Sequence, residues 1–290
     1  MKMVRNEPLK KHTSFRIGGP AEYFCAPTNI DELREALKFA RENRLPVAIL
    51  GMGTNLLALD NGFRGLVIKL GGGLNKVTVR GRVIHAGAGT LLPVLLNIAA
   101  RRGLAGLEFL AGIPGTVGGA AAMNAGAWDG EIGRYVDRVR ALDKNGDLKE
   151  IKKPGLRFGY RRSVLQKGKL IAAEVVLKLR KGSPGRIRKK ILGFLEKRKL
   201  NQPLGSPNAG SIFKNPKGKF AGKLLEEAGF KGARVGDAQV SVKHANFILN
   251  LGEAKARDVI KLMTRMRGAV KRKFKVTLEP ELKIMVQSIS

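Results

Sequence analysis

Two glycine-rich stretches offer the clearest chemistry in the sequence. Val47–Leu50 reads as a short apolar strand opening into Gly51-Met52-Gly53-Thr54-Asn55. Glycines at such a turn permit positive φ and close backbone approach, so successive N–H groups can converge on a phosphate. Thr54 and Asn55 add side-chain donors. The second stretch, Gly112-Ile113-Pro114-Gly115-Thr116-Val117-Gly118-Gly119, runs into the small residues Ala120-Ala121-Ala122-Met123-Asn124. Small side chains let a flat, wide ligand lie directly on the backbone. Either loop alone is compatible with a tight turn, but two in one half of a chain exceed what turns usually need.

Other chemistries find no support. Gly51-x-Gly53 lacks the third glycine and the following acidic residue of a dinucleotide fingerprint, and no Gly-Lys-Ser/Thr makes a Walker loop. His12, His85 and His244 are scattered without metal-ligand spacing, so no metal is expected and each histidine reads as structural or peripheral. There is no Gly-x-Ser-x-Gly nucleophile elbow.

The elements around the loops read as an α+β mixture. Leu33, Ala36, Leu37 and Ala40 stand at helical spacing, with Asn29 and Glu32 as a start signal and Pro46 after the end. Short apolar runs at 66–70, 76–80, 83–86, 136–142 and 171–179 read as strands. Thr90 is placed to cap a second helix carrying Leu92, Leu95, Leu96 and Ala99. Composition shifts near Lys181-Gly182-Ser183-Pro184, where a basic helix is expected to run to about Leu200. Helices are also expected at 223–228 and 253–272, with Met263 and Met266 as core filler, and strands at 247–250 and 277–286. One domain boundary is therefore expected near residue 182, giving regions 1–182 (itself two subdomains) and 183–290.

The 290 residues hold 43% hydrophobic and 27% charged side chains, an ordinary globular balance. No run approaches the ~20 apolar residues of a membrane span, and the amino terminus has no secretory pattern. The lone Cys25 excludes an internal disulfide framework and reads as a small core hydrophobe. A cytoplasmic protein without membrane contact is the expectation, and a monomer. The charge is unusual: 55 Lys and Arg against 23 Asp and Glu give +32. Clustered cations bind polyanions, but these are spread along the chain and aromatics are only 6%, thin for base stacking. Nucleic acid is not expected as a functional partner; attraction of anionic small molecules is.

The order of motifs along the chain resembles the UDP-N-acetylenolpyruvoylglucosamine reductase family over nearly its full length. The matching stretches include His12-Thr-Ser-Phe-Arg-Ile-Gly-Gly-Pro-Ala21, both glycine loops, Met123-Asn-Ala-Gly-Ala127 and Phe158-Gly-Tyr-Arg-Arg-Ser163. Further on come Ala209-Gly-Ser-Ile-Phe-Lys-Asn-Pro216, Ala221-Gly-Lys-Leu-Leu-Glu-Glu-Ala-Gly229, Val240-Ser-Val-Lys-His-Ala-Asn246 and Leu278-Glu-Pro-Glu-Leu282. The resemblance implies an FAD-binding domain of the vanillyl-alcohol-oxidase (PCMH) type with a smaller carboxyl-terminal substrate domain. The flavin pyrophosphate would be held by Gly51, Gly53, Thr54, Asn55, Ile113, Pro114, Gly115, Thr116, Gly118 and Gly119. No histidine or cysteine at residues 51–57 offers a covalent link, so FAD is expected to be noncovalent, with NADPH as co-substrate. Compact spacing between Arg161 and Ser211 favours the shorter class of the family, without a tyrosine-bearing loop.

The implied reaction reduces an enol ether of pyruvate, and negative charge flows into its carboxylate. That calls for a fixed cation and a proton-bearing neighbour in a site that excludes water, and a hydroxyl to protonate the adjacent carbon. The family pattern assigns the cation to Arg161, enol stabilisation to Glu281 as a neutral acid, and proton delivery to Ser211. A neutral Glu281 would need a pKa raised by burial or neighbouring anions. Residue types alone leave Arg162 and Glu279 as rivals, and strand alternation would put Glu279 and Glu281 on one face. Tyr160, Lys199 and Asn215 are the expected contacts to the diphosphate or sugar. The competing readings are an FAD oxidase on the same fold, betrayed by rapid reoxidation in oxygen, and a basic nucleic-acid-binding module, betrayed by salt-sensitive binding.

Overall fold

The spacing at Leu33, Ala36, Leu37 and Ala40 becomes the buried face of α1 (Ile30–Glu42), started by Asn29, whose side chain accepts the Glu32 N–H at 2.9 Å. A computed structural model describes residues 1–286 and gives six further helices: α2 (Leu92–Arg101), α3 (Val117–Met123), α4 (Lys153–Leu156), α5 (Pro184–Asn201), α6 (Ala221–Glu227) and α7 (Ala256–Phe274). Helices and strands of both pairing senses coexist, as the α+β expectation required. The described residues form two compact units, one of residues 1–4, 23–52 and 65–197, the other of residues 5–22, 53–64 and 198–286. The last changeover between the two units falls between Lys197 and Arg198, inside α5.

The first unit is built on a five-stranded antiparallel sheet in the order Leu148–Lys152, Val136–Asp143, Leu170–Lys178, Val83–Gly87, Val77–Arg80. Val47–Leu50 pairs in parallel with Phe63–Lys69, Val47 opposite Leu66. α2 and α3 supply Leu92, Leu95, Leu96, Val117 and Ala121 to the same core as Val139, Val175 and Leu177. Thr90 does not cap α2: Leu91 holds that position, and the Thr90 hydroxyl donates to the Asn75 carbonyl at 3.1 Å. Cys25 is buried in this core, and burial, helped by the charge of Glu32, pushes its thiol up to about 12. It packs as the small hydrophobe expected.

In the second unit, α7 presents Ala256, Val259, Leu262, Met263, Met266 and Val270 to a core shared with α6 and a three-stranded sheet. That sheet runs Arg234–Val235, Ala238–Val240, Ile248–Asn250. Both methionines are core residues. Lys283–Met285 pairs in parallel with Leu56–Ala58. The expected strand 277–286 is regular only over those three residues. Pro280, which has no N–H to give a ladder, makes one isolated bridge to Phe213. Among the described residues, no helix is long and apolar enough to cross a membrane.

Candidate active site

In the first unit, the two glycine stretches are brought together. A Cβ on Gly51 would stand 2.8 Å from the Thr116 hydroxyl oxygen, so the Val47–Leu50 strand end and the start of α3 touch through a missing side chain. Thr116 caps α3, its hydroxyl accepting the Gly119 N–H at 3.2 Å. Gly118 lies on Ala88, whose Cβ would be 2.7 Å from any Cβ added there, and donates its N–H to the Ala88 carbonyl at 2.9 Å. Gly112 and Gly115 take φ of 74° and 143°, conformations that side chains rarely tolerate. Ile113 is half-buried and Pro114 exposed on the same loop. Glycine at 51 and 118 lets Thr116 and Ala88 pack against bare backbone, so the two stretches lie together, and a small-sided loop turned by Gly112 and Gly115 fits an FAD pyrophosphate. Gly51→Ala should force Thr116 off its cap; we expect about 1 kcal/mol lower stability and weaker flavin retention, read by thermal unfolding and flavin release.

The Phe158–Ser163 motif is docked on the end of α3. Asn124, fully buried at φ 43°, donates to the Gly159 carbonyl at 2.9 Å and to Glu131 at 3.1 Å, and accepts the Gly133 N–H at 2.9 Å. The Ala122 carbonyl accepts from Ser163 at 2.7 Å and from Gln166 at 3.0 Å. Between these anchors, Gly159 and Arg162 bond each other's backbones at 3.0 Å in both directions, leaving Tyr160 and Arg161 at the turn tip. Arg161 sits at φ 53°, a strained choice for a non-glycine residue. Its guanidinium donates to the Gly126 carbonyl at 2.9 Å and lies 5.0 Å from the centre of the Tyr160 ring. Arg161 is half-buried, whereas Arg162 and Tyr160 are exposed. An aromatic platform not anticipated from sequence lies in the same unit: Trp128 stacks on Phe194 at 5.8 Å, with Lys197 over its ring.

In the second unit, backbone pairing makes Ser211 and Glu281 neighbours. The Glu281 N–H donates at 2.8 Å to the carbonyl of Ile212, the residue after Ser211, and the Lys214 N–H donates to the Glu279 carbonyl at 2.9 Å. Asn55 joins them, its side chain donating to the Glu281 carbonyl at 3.2 Å and its own carbonyl accepting the Lys283 N–H at 3.1 Å. Gly53, at φ 62°, leaves no room for a Cβ against the His12 carbonyl. Glu279 and Glu281 do not share an environment: Glu279 is exposed and paired with Lys214 at 3.2 Å, while Glu281 is half-buried. The lysine two residues on, Lys283, is pushed below the usual lysine range, first by burial and then by the charge of Lys214, against the opposing pull of Glu281. A raised pKa at Glu281 called for burial or neighbouring anions; the residue is half-buried, and the charged group two positions on is the cation of Lys283.

Comparison with known proteins settles the family. Residues 202–285 match the family model described as UDP-N-acetylenolpyruvoylglucosamine reductase, C-terminal domain, and residues 21–152 match a model described as FAD binding domain. The chain is 49% identical over 280 residues to UDP-N-acetylenolpyruvoylglucosamine reductase 2 of Symbiobacterium thermophilum, covering 97% of this chain and 91% of that one. It is 46% identical to the reductase of Desulforamulus reducens, at 97% and 92% coverage. The crystal structure of the reductase from Thermus caldophilus superposes with a TM-score of 0.84 at 40% identity, covering 98% of both chains. The chain belongs to the UDP-N-acetylenolpyruvoylglucosamine reductase family. An FAD-binding region of the expected type, followed by the family's carboxyl-terminal domain, is its architecture.

Several residues expected to serve the reductase site have plain structural partners. The Asn215 side chain accepts the Ala221 N–H at 3.0 Å, at the start of α6. Lys199 is exposed near the end of α5, and its carbonyl accepts from Lys243 at 2.6 Å. Its neighbour Arg198 is buried and donates to Gln202 at 3.0 Å, a burial that the run of basic residues concealed. The histidines are held by the fold, His12 against Glu7 at 2.9 Å and His85 against Glu174 at 3.3 Å. Among the described residues, no group of three or more His, Cys, Asp or Glu could hold a metal ion.

Proposed function

We propose that the chain catalyses the NADPH-dependent, FAD-mediated reduction of UDP-N-acetylenolpyruvoylglucosamine to UDP-N-acetylmuramate, supplying peptidoglycan precursors for the cell wall. The cytoplasm is its place of work and the monomer its form. The region 1–182 serves the flavin and 183–290 the UDP-sugar. The observation that carries the reading is the Glu281 N–H bonded to the carbonyl of Ile212, the residue after Ser211, beside Asn55, in a chain whose two glycine stretches pack together through Gly51 and Thr116.

Noncovalent FAD, held by Gly51, Gly53, Thr54, Asn55, Ile113, Pro114, Gly115, Thr116, Gly118 and Gly119, would relay a hydride from NADPH to the enolpyruvyl double bond. The protein's own work is electrostatic and protonic. Arg161, with its guanidinium oriented by the Gly126 carbonyl, binds the substrate carboxylate and stabilises the charge that accumulates there. Glu281 hydrogen-bonds the enol-like form from the opposite chemical role, as a donor when neutral. Ser211 gives its proton to the adjacent carbon. A serine hydroxyl is a weak acid, so it delivers a proton only to a strongly basic centre, which this carbon becomes after hydride addition. Tyr160, Lys199 and Asn215 contact the diphosphate or sugar.

Purified protein should be yellow, bleach on anaerobic titration with NADPH, and recolour on addition of the enolpyruvyl UDP-sugar. A protein that takes up no FAD, or whose reduced flavin ignores that substrate, would overturn the reading.

A further inference from the structure

Ser211 is anchored less by its own side chain than by the two residues after it. The Ile212 N–H donates to the Asn246 carbonyl at 2.9 Å. The Asn246 side chain closes a two-way clasp on Phe213, accepting its N–H at 3.0 Å and donating to its carbonyl at 2.8 Å. Three hydrogen bonds from one buried asparagine thus fix the segment that carries Ser211 and accepts the Glu281 N–H. Asn246 is held in turn by His244, whose Nδ1 accepts the Asn246 N–H at 3.2 Å. The imidazole has no slack: it packs on Gly222, where an added Cβ would be 2.7 Å from the ring, and meets Phe247 edge-on at 4.9 Å. Ser241, also buried, accepts the N–H groups of Lys243 and His244 and sets the turn.

Building on the proposed reductase activity, we infer that Asn246 is a positioning residue for Ser211, and that His244, by accepting the Asn246 N–H, makes this clasp dependent on its own protonation. Only a neutral ring with a bare Nδ1 can accept that bond; a protonated ring presents a donor to a donor. The charged groups acting on the ring are Glu226 of α6 and Lys231 in the loop beyond it, bonded to each other at 2.5 Å. Burial, the largest influence, and Lys231 hold the histidine below its usual 6.5, against a hydrogen bond with its own backbone and the charge of Glu226. The sign follows. A folded value below the unfolded one means that the neutral ring stabilises the native state above about 6.5, and that this contribution is lost as pH falls through the folded value. The segment around Ser211 should loosen on acidification.

The test uses the full chain with two readouts. In the first, amide-exchange protection of peptide 209–216, corrected for intrinsic pH dependence, should fall about tenfold between roughly pH 7.5 and 5.5. His244→Asn keeps an acceptor near Nδ1 without a titrating group and should abolish that fall; His244→Leu should be unprotected at both pH values. In the second, Asn246→Asp, which cannot donate to the Phe213 carbonyl, should slow reoxidation of the reduced flavin by the UDP-sugar about tenfold or more. Its reduction by NADPH should stay within about twofold, an outcome a merely structural defect would not produce. Protection in His244→Asn that still falls with acid would overturn the histidine's part. Equal loss of both half-reactions, or of neither, in Asn246→Asp would overturn the asparagine's. Wild-type protein whose reduced flavin does not react with the UDP-sugar would sink the reductase reading instead, while the exchange readout would still decide the clasp.

Discussion

Ser211→Ala should leave bleaching of the flavin by NADPH within about twofold of the parent, while recolouring by the enolpyruvyl UDP-sugar slows by ~10²–10⁴-fold or more. The asymmetry is the content of the expectation. The hydroxyl is needed only after the hydride has arrived, when the carbon beside the carboxylate must take a proton. Alanine should not disturb the segment otherwise. Gly210 donates to the Asn208 side chain at 2.9 Å, Ile212 accepts the Glu281 N–H and donates to Asn246, and Phe213 is clasped on both sides. All of these bonds survive removal of one half-buried hydroxyl. Rapid-mixing absorbance would separate the two half-reactions, and deuterium incorporation from solvent would show whether the proton still reaches its carbon. Unchanged recolouring would remove Ser211 from the mechanism and leave water or Glu281 to donate.

What the sequence made legible was whatever depends on local order. The start of α1 at Asn29 follows from a side chain bonding a backbone three residues away, and the core face of α7 from 3.6-residue periodicity. The glycine loops were legible because a missing side chain is itself a signal. What stayed hidden depends on distant parts of the chain. Residues 5–22 and 53–64 join the second unit with no change in composition to announce it. The chain passes from one unit to the other between Met52 and Gly53, within what reads as a single phosphate loop. Period-two alternation suggested that Glu279 and Glu281 share a face. Residues 279–281 are not regular strand, Pro280 making only an isolated bridge to Phe213; one glutamate is exposed on Lys214 and the other half-buried beside Ile212. Thr90 looked like a cap because caps are short-range; its hydroxyl bonds Asn75 instead. Residue types could not choose between Arg161 and Arg162, since only the fold puts one at a turn tip bonded to Gly126 and leaves the other exposed.

That choice yields the second large effect. Arg161→Ala should slow reoxidation by the UDP-sugar ~10²–10³-fold, the scale of removing one preorganised charge from a developing anion, whereas Arg162→Ala should stay within about threefold. The backbone supplies a control that most arginines lack. At φ 53°, Arg161 pays a steric cost of about 1–2 kcal/mol that glycine would not. Arg161→Gly should therefore unfold at a higher temperature than Arg161→Ala, yet recolour just as slowly, because both lack the guanidinium. If rate followed stability across the pair, the arginine would matter only for the shape of its turn. Arg161→Lys sharpens the reading further. An ammonium keeps the charge without the planar fork that bonds the Gly126 carbonyl and can still reach a carboxylate. A lysine variant should recover part of the lost rate and most of it through tighter substrate binding, seen as a lower KM with kcat still depressed. Full recovery in kcat would mean that charge alone suffices, and that the strained turn, with Asn124 and Gln166 holding its two sides, serves some other end than aiming this side chain.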